Sequence, residues 1–296
     1  MSSRYARDKS RAAWLFLTPA LLLLGLFFLL PVVGGILLSL TDFDLYAVAD
    51  FGAARFVGLA NYAQLLQDGS FWRALTNTLQ FVVIGGPLSV LVSLGAAMLL
   101  DHKAARLRGV LRTVYFAPVV TTLVSVAIVW RYLYHPKYGL LNHLLGLVGI
   151  GPIDWLGDPH WAMPAIILLA VWKNFGYNML IFLAGLQTIP AERYEAASID
   201  GAGAWQRFRH VTVPGLAPTA LFVGVTTMIG FFQLFAEPYI MTQGGPLGAT
   251  RSLVLLMYEE GFRWWRMGIA SAAAVLLLVI TLIFTLLQLR LRRSET

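Results

Sequence analysis

At 296 residues, with 58% hydrophobic and only 12% charged side chains, the chain lacks the polar surface of a water-soluble fold this long, which would carry about a quarter charged residues. Its solvent is therefore lipid, in keeping with a mean hydropathy of +0.71. There are no cysteines, which excludes disulfides and thiolate sites, and the net charge of +7 follows loop placement rather than a nucleic-acid footprint.

A spanning helix needs roughly 20 predominantly apolar residues, and six stretches qualify. After a basic tail over residues 1–12, the first span is Ala13–Leu40. It is too long for a signal-peptide core and is followed by no small-residue cleavage site, so it is expected to stay in the mature protein. Pro31 removes a backbone donor in mid-helix and predicts a kink. Asp42–Ser70 then forms an external segment with Asp42, Asp44, Asp50 and Asp68 exposed, in which the stretch Phe56–Leu75 predicts a short interfacial helix. Spans two (Asn77–Leu100) and three (Val110–Leu133) carry Gly86-Pro87 and Pro118, and a short basic turn, Asp101–Gly109, joins them. The Gly- and Pro-rich loop His135–Trp161 offers Trp155 and Trp161 as interface anchors. Span four is Met163–Leu186 and span five Leu216–Glu237, followed by a loop, MTQGGPLGAT, whose Gly244-Gly245-Pro246 cannot continue a helix. Span six, Gly268–Leu289, opens with small residues at Gly268 and Ala272 that allow close helix approach in lipid. Residues 291–296 form a tail.

Basic residues orient these spans. Fourteen Lys and Arg fall in one set of loops, among them Arg4, Arg7, Lys103, Arg112, Arg193, Arg207 and Arg292, against seven in the other set. Positive residues collect on the cytoplasmic side, so both termini and the 188–215 loop are expected to face the cytoplasm.

That loop, LQTIPAERYEAASIDGAGAWQRFRHVTVPGLAP over Leu186–Pro218, is the polar stretch between spans four and five. Pro190 suits a helix's first turn, and Glu192–Ile199 gives about two turns. Gly201 and Gly203 permit the positive-φ turn that ends them. Ala204–Val211 restarts a helix that Pro214 is expected to end. Helices this short are marginal alone in water and call for a packing partner. Ala196 and Ala197 give a smooth face, while Glu195 and Asp200 can pair with basic groups.

The run Glu195, Ala196, Ala197, Asp200, Gly201, Ala202 and Pro214, placed between two spans, closely resembles the EAA loop of permease subunits in bacterial binding-protein-dependent carbohydrate ABC importers. The Phe56–Leu75 segment and the T-x-G-G-P stretch (Thr242, Gly244, Gly245, Pro246) are similar to the same family. The resemblance implies an all-α integral membrane fold of six spans, with a permease domain over residues 13–290 and a cytoplasmic coupling loop over 188–215. It implies a bacterial inner-membrane location and an assembly with a second permease subunit, ABC ATPase subunits and an extracytoplasmic sugar-binding protein. The listed loop residues would dock to the ATPase, and the substrate would be a sugar. An ABC permease for another solute, such as glycerol 3-phosphate, stays open beside it, as does an ion-coupled carrier.

No energy-converting site is present in the sequence. There is no G-x-x-x-x-G-K-[ST] phosphate loop, and Gly149-Ile150-Gly151 lacks the third glycine of a dinucleotide fingerprint. The five histidines show no metal-ligand spacing. No serine sits in the G-x-S-x-G setting that an intramembrane serine protease would need. The chain is expected to be no enzyme and to hold no cofactor of its own, with ATP hydrolysed by a separate subunit.

Polar residues inside spans are candidate sites. In span four, Lys173, Asn174, Tyr177 and Asn178 fall within about 140° of arc at about 100° per residue, so they share one face. In span five, Thr226, Thr227, Gln233 and Glu237 form a second polar series, with Phe231 among them. The resemblance implies that these two stretches line a translocation path. Lys173 either joins that path or pairs structurally with Glu237 or a partner-subunit carboxylate, and the sequence leaves both readings open.

Overall fold

The computed structural model describes residues 2–44, 46, 54–101 and 107–293, with side chains from 13 to 290. Asp50, Lys103 and Arg106 lie outside the described residues. Nearly all the rest is helical. We label the helices α1 (Ala13–Leu38), α2 (Ala60–Gln67), α3 (Gly69–Asp101), α4 (Arg108–Val120), α5 (Leu123–Leu133), α6 (Leu140–Leu147), α7 (Pro159–Gln187), α8 (Ala191–Ile199), α9 (Ala204–Phe232), α10 (Ala236–Met241), α11 (Leu253–Tyr258) and α12 (Met267–Arg293). Among the described residues, α1, α3, α7, α9 and α12 are each long and apolar enough to cross a membrane, and α4 and α5, bent by 101°, add a sixth where the pair counts as one span.

The chain forms two compact units, residues 1–68 with 257–276, and residues 69–256 with 277–296. In the first unit α1 has no buried residue between Ala13 and Leu38, as expected of a helix wetted by lipid. Its C-terminal end is tied down locally. Asn61 donates from Nδ2 to the carbonyls of Ser39 and Thr41, both at 2.8 Å, and the Ser39 hydroxyl meets the Tyr62 hydroxyl at 2.7 Å. Gly268 has no room for a side chain, because a Cβ there would strike the Thr41 carbonyl. Glu260 is buried and pairs with Arg266 at 2.6 Å.

The second unit is built around α7. Apart from the short polar face at Lys173–Asn178 this helix is apolar around its circumference, and it sits at the centre, burying fifteen residues. Ala97 and Leu100 of α3, Met179, Phe182, Leu183 and Leu186 of α7, and Leu216 and Val223 of α9 form its core. Small residues set the spacing in place of a hydrophobic driving force, which lipid does not supply. A side chain at Gly176 would overlap the Tyr115 carbonyl, and one at Gly185 would press on Thr219 at 2.6 Å.

Of the prolines inside spans, three lie two residues beyond a single π-helical turn. The pairs are Gly25–Leu29 with Pro31, Phe81–Gly85 with Pro87, and Phe208–Thr212 with Pro214. A proline ring collides with the carbonyl four residues back and offers no N–H. The wider turn shifts that carbonyl and absorbs the missing bond. This corrects one expectation: Pro214 does not end the helix begun at Ala204, which runs on through it to Phe232, and α1 likewise continues through Pro31.

Four further boundaries differ from the sequence reading. Only Ala60–Gln67 of the stretch Phe56–Leu75 is a separate short helix; from Gly69 the chain is already in α3. Span three is not continuous, since α4 and α5 meet at 101° around Thr121 and Thr122. Thr122 caps α5 by accepting the Ser125 N–H at 3.3 Å, while the Thr121 hydroxyl bonds the Pro118 carbonyl at 2.6 Å. Span five stops at Phe232, and Glu237 belongs to the separate α10, because Phe235 at φ −139° and ψ −58° lies outside helical geometry. Trp155 is no free interface anchor. It packs on Tyr134 and Trp161 with centroids 5.5 and 5.4 Å away, and its indole N–H donates to Asn142 at 2.9 Å. Beside it, burial pushes the Tyr134 phenol pKa upward, and its hydroxyl donates to the Ala165 carbonyl at 2.7 Å.

Candidate functional site

Where α7, α9 and α10 converge, within the second unit, they enclose a cavity of about 520 Å³. Asn174, Tyr177 and Asn178 of α7 line it, with Thr226, Thr227, Gly230 and Phe231 of α9. Gln233, Leu234 and Phe235 of the break follow, then Ala236 and Glu237 of α10. The span-four face and the span-five series thus meet at one place. The break after Phe232 is what achieves this: it turns the chain so that Gln233 and Glu237 line the same space as Thr227.

Each wall group is held in a definite way. Asn178 is buried and donates from Nδ2 to the Thr227 hydroxyl at 2.9 Å, which ties α7 to α9. Asn174 spends its Nδ2 on the Ala170 carbonyl of its own helix at 2.9 Å. Thr226 bonds back to the Phe222 carbonyl at 2.8 Å. Tyr177 is half exposed, and neither its hydroxyl nor the Gln233 amide makes a side-chain hydrogen bond among the described residues. Phe231 packs on Phe81 of α3 with centroids 4.8 Å apart. The cavity therefore offers aromatic faces beside neutral hydrogen-bonding groups in a low-dielectric setting.

Lys173 is the one expected path residue that does not line this cavity. Its ammonium donates to the carbonyls of Pro118 at 2.7 Å and Val119 at 3.2 Å. It thereby caps the C-terminal end of α4, where helix carbonyls have no intrahelical partner. Glu237 is within electrostatic reach, but the two make no ion pair.

Six liners escaped sequence reasoning: Phe81 and Leu123, and Gly230, Leu234, Phe235 and Ala236 interspersed in the span-five series. Phe81 lies in the π-helical turn before Gly86-Pro87, and Leu123 opens α5 just past the break. The prolines mark both places, but an apolar residue in an apolar span carries no other signal.

The loop between α7 and α9 has its own geometry. α8 ends in a Schellman arrangement, with the Ala202 N–H on the Ala197 carbonyl at 2.9 Å and Gly201 at φ +77°. Gly203, expected in the same left-handed region, instead has φ −68° and ψ 172° and starts α9, its N–H bonded to the Gln206 side chain at 2.8 Å. The two helices are clipped together by the Tyr194 hydroxyl on Thr212 at 3.0 Å and by Arg207 on Ser198 at 3.2 Å. Glu195, Ala196, Asp200, Ile199 and Trp205 are left exposed, Ile199 at 86% and Trp205 at 68%.

The loop that follows the T-x-G-G-P stretch, residues 247–251, is pinned to the first turns of α3. Asn77 donates to the carbonyls of Gly248 at 2.8 Å and Arg251 at 3.0 Å, and Arg73 donates to that of Leu247 at 3.0 Å. Among the described residues no cluster of three His, Asp or Glu side chains could hold a metal ion.

Residues 89–295 match the family described as "Binding-protein-dependent transport system inner membrane component". Among curated proteins, the chain is 38% identical over 280 residues to the "Probable ABC transporter permease protein YurN" of Bacillus subtilis, covering 94% of each chain. It is 38% identical over 279 residues to the "Lactose transport system permease protein LacF" of Rhizobium radiobacter, covering 93% of this chain and 91% of that one. Among solved structures, a chain of a bacterial alginate ABC transporter, in complex with an alginate pentasaccharide-bound periplasmic protein, superposes with a TM-score of 0.82. That match covers 100% of this chain and 99% of that one at 22% identity, a likeness of fold.

Proposed function

The chain belongs to the family of binding-protein-dependent transport system inner membrane components, and from that premise we propose that it is the permease subunit of a sugar importer, half of a pore whose path runs through the α7–α9–α10 cavity. The observation that carries the reading is the wall itself. Tyr177, Phe231 and Phe235 present rings beside the amides of Asn174 and Gln233. Sugars pair apolar CH faces with dense hydroxyls, and such a surface matches both while leaving few polar groups unpaired. The lactose-named relative supports the same substrate class.

ATP hydrolysis is assigned to a separate ATPase subunit, which docks on the exposed face of α8 with Glu195, Ala196, Ala197, Asp200, Gly201 and Ala202, and is coupled through Pro214 to α9. A second permease completes the pore, and an extracytoplasmic binding protein delivers the sugar. The charge asymmetry of the loops supports cytoplasmic termini. The chain needs no cofactor in this scheme.

The test is reconstitution with its partner permease, ATPase and binding protein. Tyr177→Ala should cut ATP-driven uptake of the sugar that the binding protein holds by tenfold or more, with assembly intact. Leu247→Cys, in this cysteine-free chain, should crosslink to the binding protein. Full uptake by Tyr177→Ala would remove the cavity from the path, and crosslinking of Leu247→Cys to the ATPase would invert the topology.

A further inference from the structure

The cavity wall carries a charge composition that its aromatic lining does not explain. Among the described residues lining it, none is Lys, Arg or His, and Glu237 is the single carboxylate. Lys173, the cation on the same helix as Asn174 and Tyr177, is committed to the Pro118 and Val119 carbonyls and does not line the space. We propose that Glu237 is a specificity-determining residue that makes this half of the path reject anionic solutes, so that its substrate is an uncharged sugar.

Two physical arguments lead here. An anion entering a water-poor cavity loses its hydration and must find a counter-charge or donor cluster, and phosphates and carboxylates are ordinarily met by Arg or Lys. This wall offers Asn, Gln, Thr and Tyr groups only. A carboxylate in the wall then adds like-charge repulsion, as rings of Asp and Glu do in cation-selective channels. A neutral sugar experiences neither effect and gains a strong acceptor for its hydroxyls. The position of Glu237 depends on the break after Phe232, without which α9 would carry the residue away from Thr227. The inference bears on the alternative of a glycerol phosphate substrate, for which a cation facing the path would be required.

This rests on the sugar-path reading above, and it can be tested apart from it. Gly230 lines the cavity, and a Cβ built there meets nothing within 4 Å, so Gly230→Cys places a reporter thiol in the only cysteine of the chain. The complete reconstituted importer is labelled with a trimethylammonium or a sulfonate methanethiosulfonate, and both rates are normalised to those with free 2-mercaptoethanol. We expect the cationic reagent to react about fivefold to tenfold faster. Glu237→Gln should bring the two rates near parity, and Glu237→Asp should keep the preference. Parity or an anion preference with Glu237 intact would overturn the inference, and so would a cation preference that survives Glu237→Gln. Uptake assays separate the two levels. If the labelling preference holds but no uncharged disaccharide among lactose, maltose and trehalose is imported, the sugar reading fails and the cavity charge stands. If wild-type complex imports sn-glycerol 3-phosphate as fast as an uncharged disaccharide, the selectivity fails.

Discussion

The Lys173 ammonium lies 2.7 Å from the Pro118 carbonyl oxygen, joining the middle of α7 to the end of α4, 55 residues earlier in the chain. With Val119 it satisfies two carbonyls that the 101° break exposes in a region with little water. The negative end of the α4 dipole adds to the attraction. Lys173→Met would leave both carbonyls without a donor, at a cost of about 1–3 kcal/mol. The variant should therefore lower the thermal midpoint and yield of the purified complex, and Lys173→Arg should recover part of the loss. Normal stability with altered substrate preference would instead put Lys173 in the path.

The sequence made the membrane class, the span positions and the 188–215 loop legible, because each rests on composition or on glycine and proline placement over long windows. It was weaker where a backbone could choose between two responses to one residue. Pro214 reads as a stop, yet the π-helical turn at Phe208–Thr212 lets α9 continue. The break at Thr121 and Thr122 has no glycine to announce it. Its helix ends are supplied by Lys173 and Thr122, which are tertiary and local partners invisible to hydropathy. In the same way the shared face of span four grouped Lys173 with Asn174 and Tyr177 by angle alone. The length of the lysine stem takes its charge to α4, while its neighbours face the cavity.

Gly176 marks the closest approach of α7 to α4, where a Cβ would overlap the Tyr115 carbonyl oxygen. The obstacle is backbone and cannot rotate away. Gly176→Ala should force the helices apart and destabilise the complex by about 1–3 kcal/mol. Thermal unfolding in detergent reads this directly. A variant as stable as wild type would show that α4 is free to move, which would loosen the argument for Lys173 as well.

Asn178 and Thr227 form the buried link between α7 and α9, at 2.9 Å. Hydrogen bonds between membrane helices average about 0.6 kcal/mol and reach about 1.7. A double-mutant cycle of Asn178→Leu and Thr227→Val should return a coupling within that range in unfolding midpoint. Both single variants should also reduce uptake, because the link fixes the two cavity walls. Additive effects would mean that the two side chains act separately.

Gly201 holds φ +77° at the turn between α8 and α9, in space open enough that a Cβ meets nothing within 4 Å. A substitution there acts through backbone strain alone, of order 1–3 kcal/mol for a residue forced into this region. Gly201→Val, β-branched and least tolerant of positive φ, should pull the Ala202 amide off the Ala197 carbonyl and disorganise the exposed face around Glu195 and Ala196. Gly201→Asn, which accepts the left-handed region, should be mild. If that face docks the ATPase, Gly201→Val lowers uptake and transport-linked ATP hydrolysis together. The binding protein's affinity for its sugar should stay unchanged, and Gly201→Asn should remain close to wild type. A fully active Gly201→Val importer would separate the turn from coupling and leave the exposed Ile199 and Trp205 as the next contacts to examine.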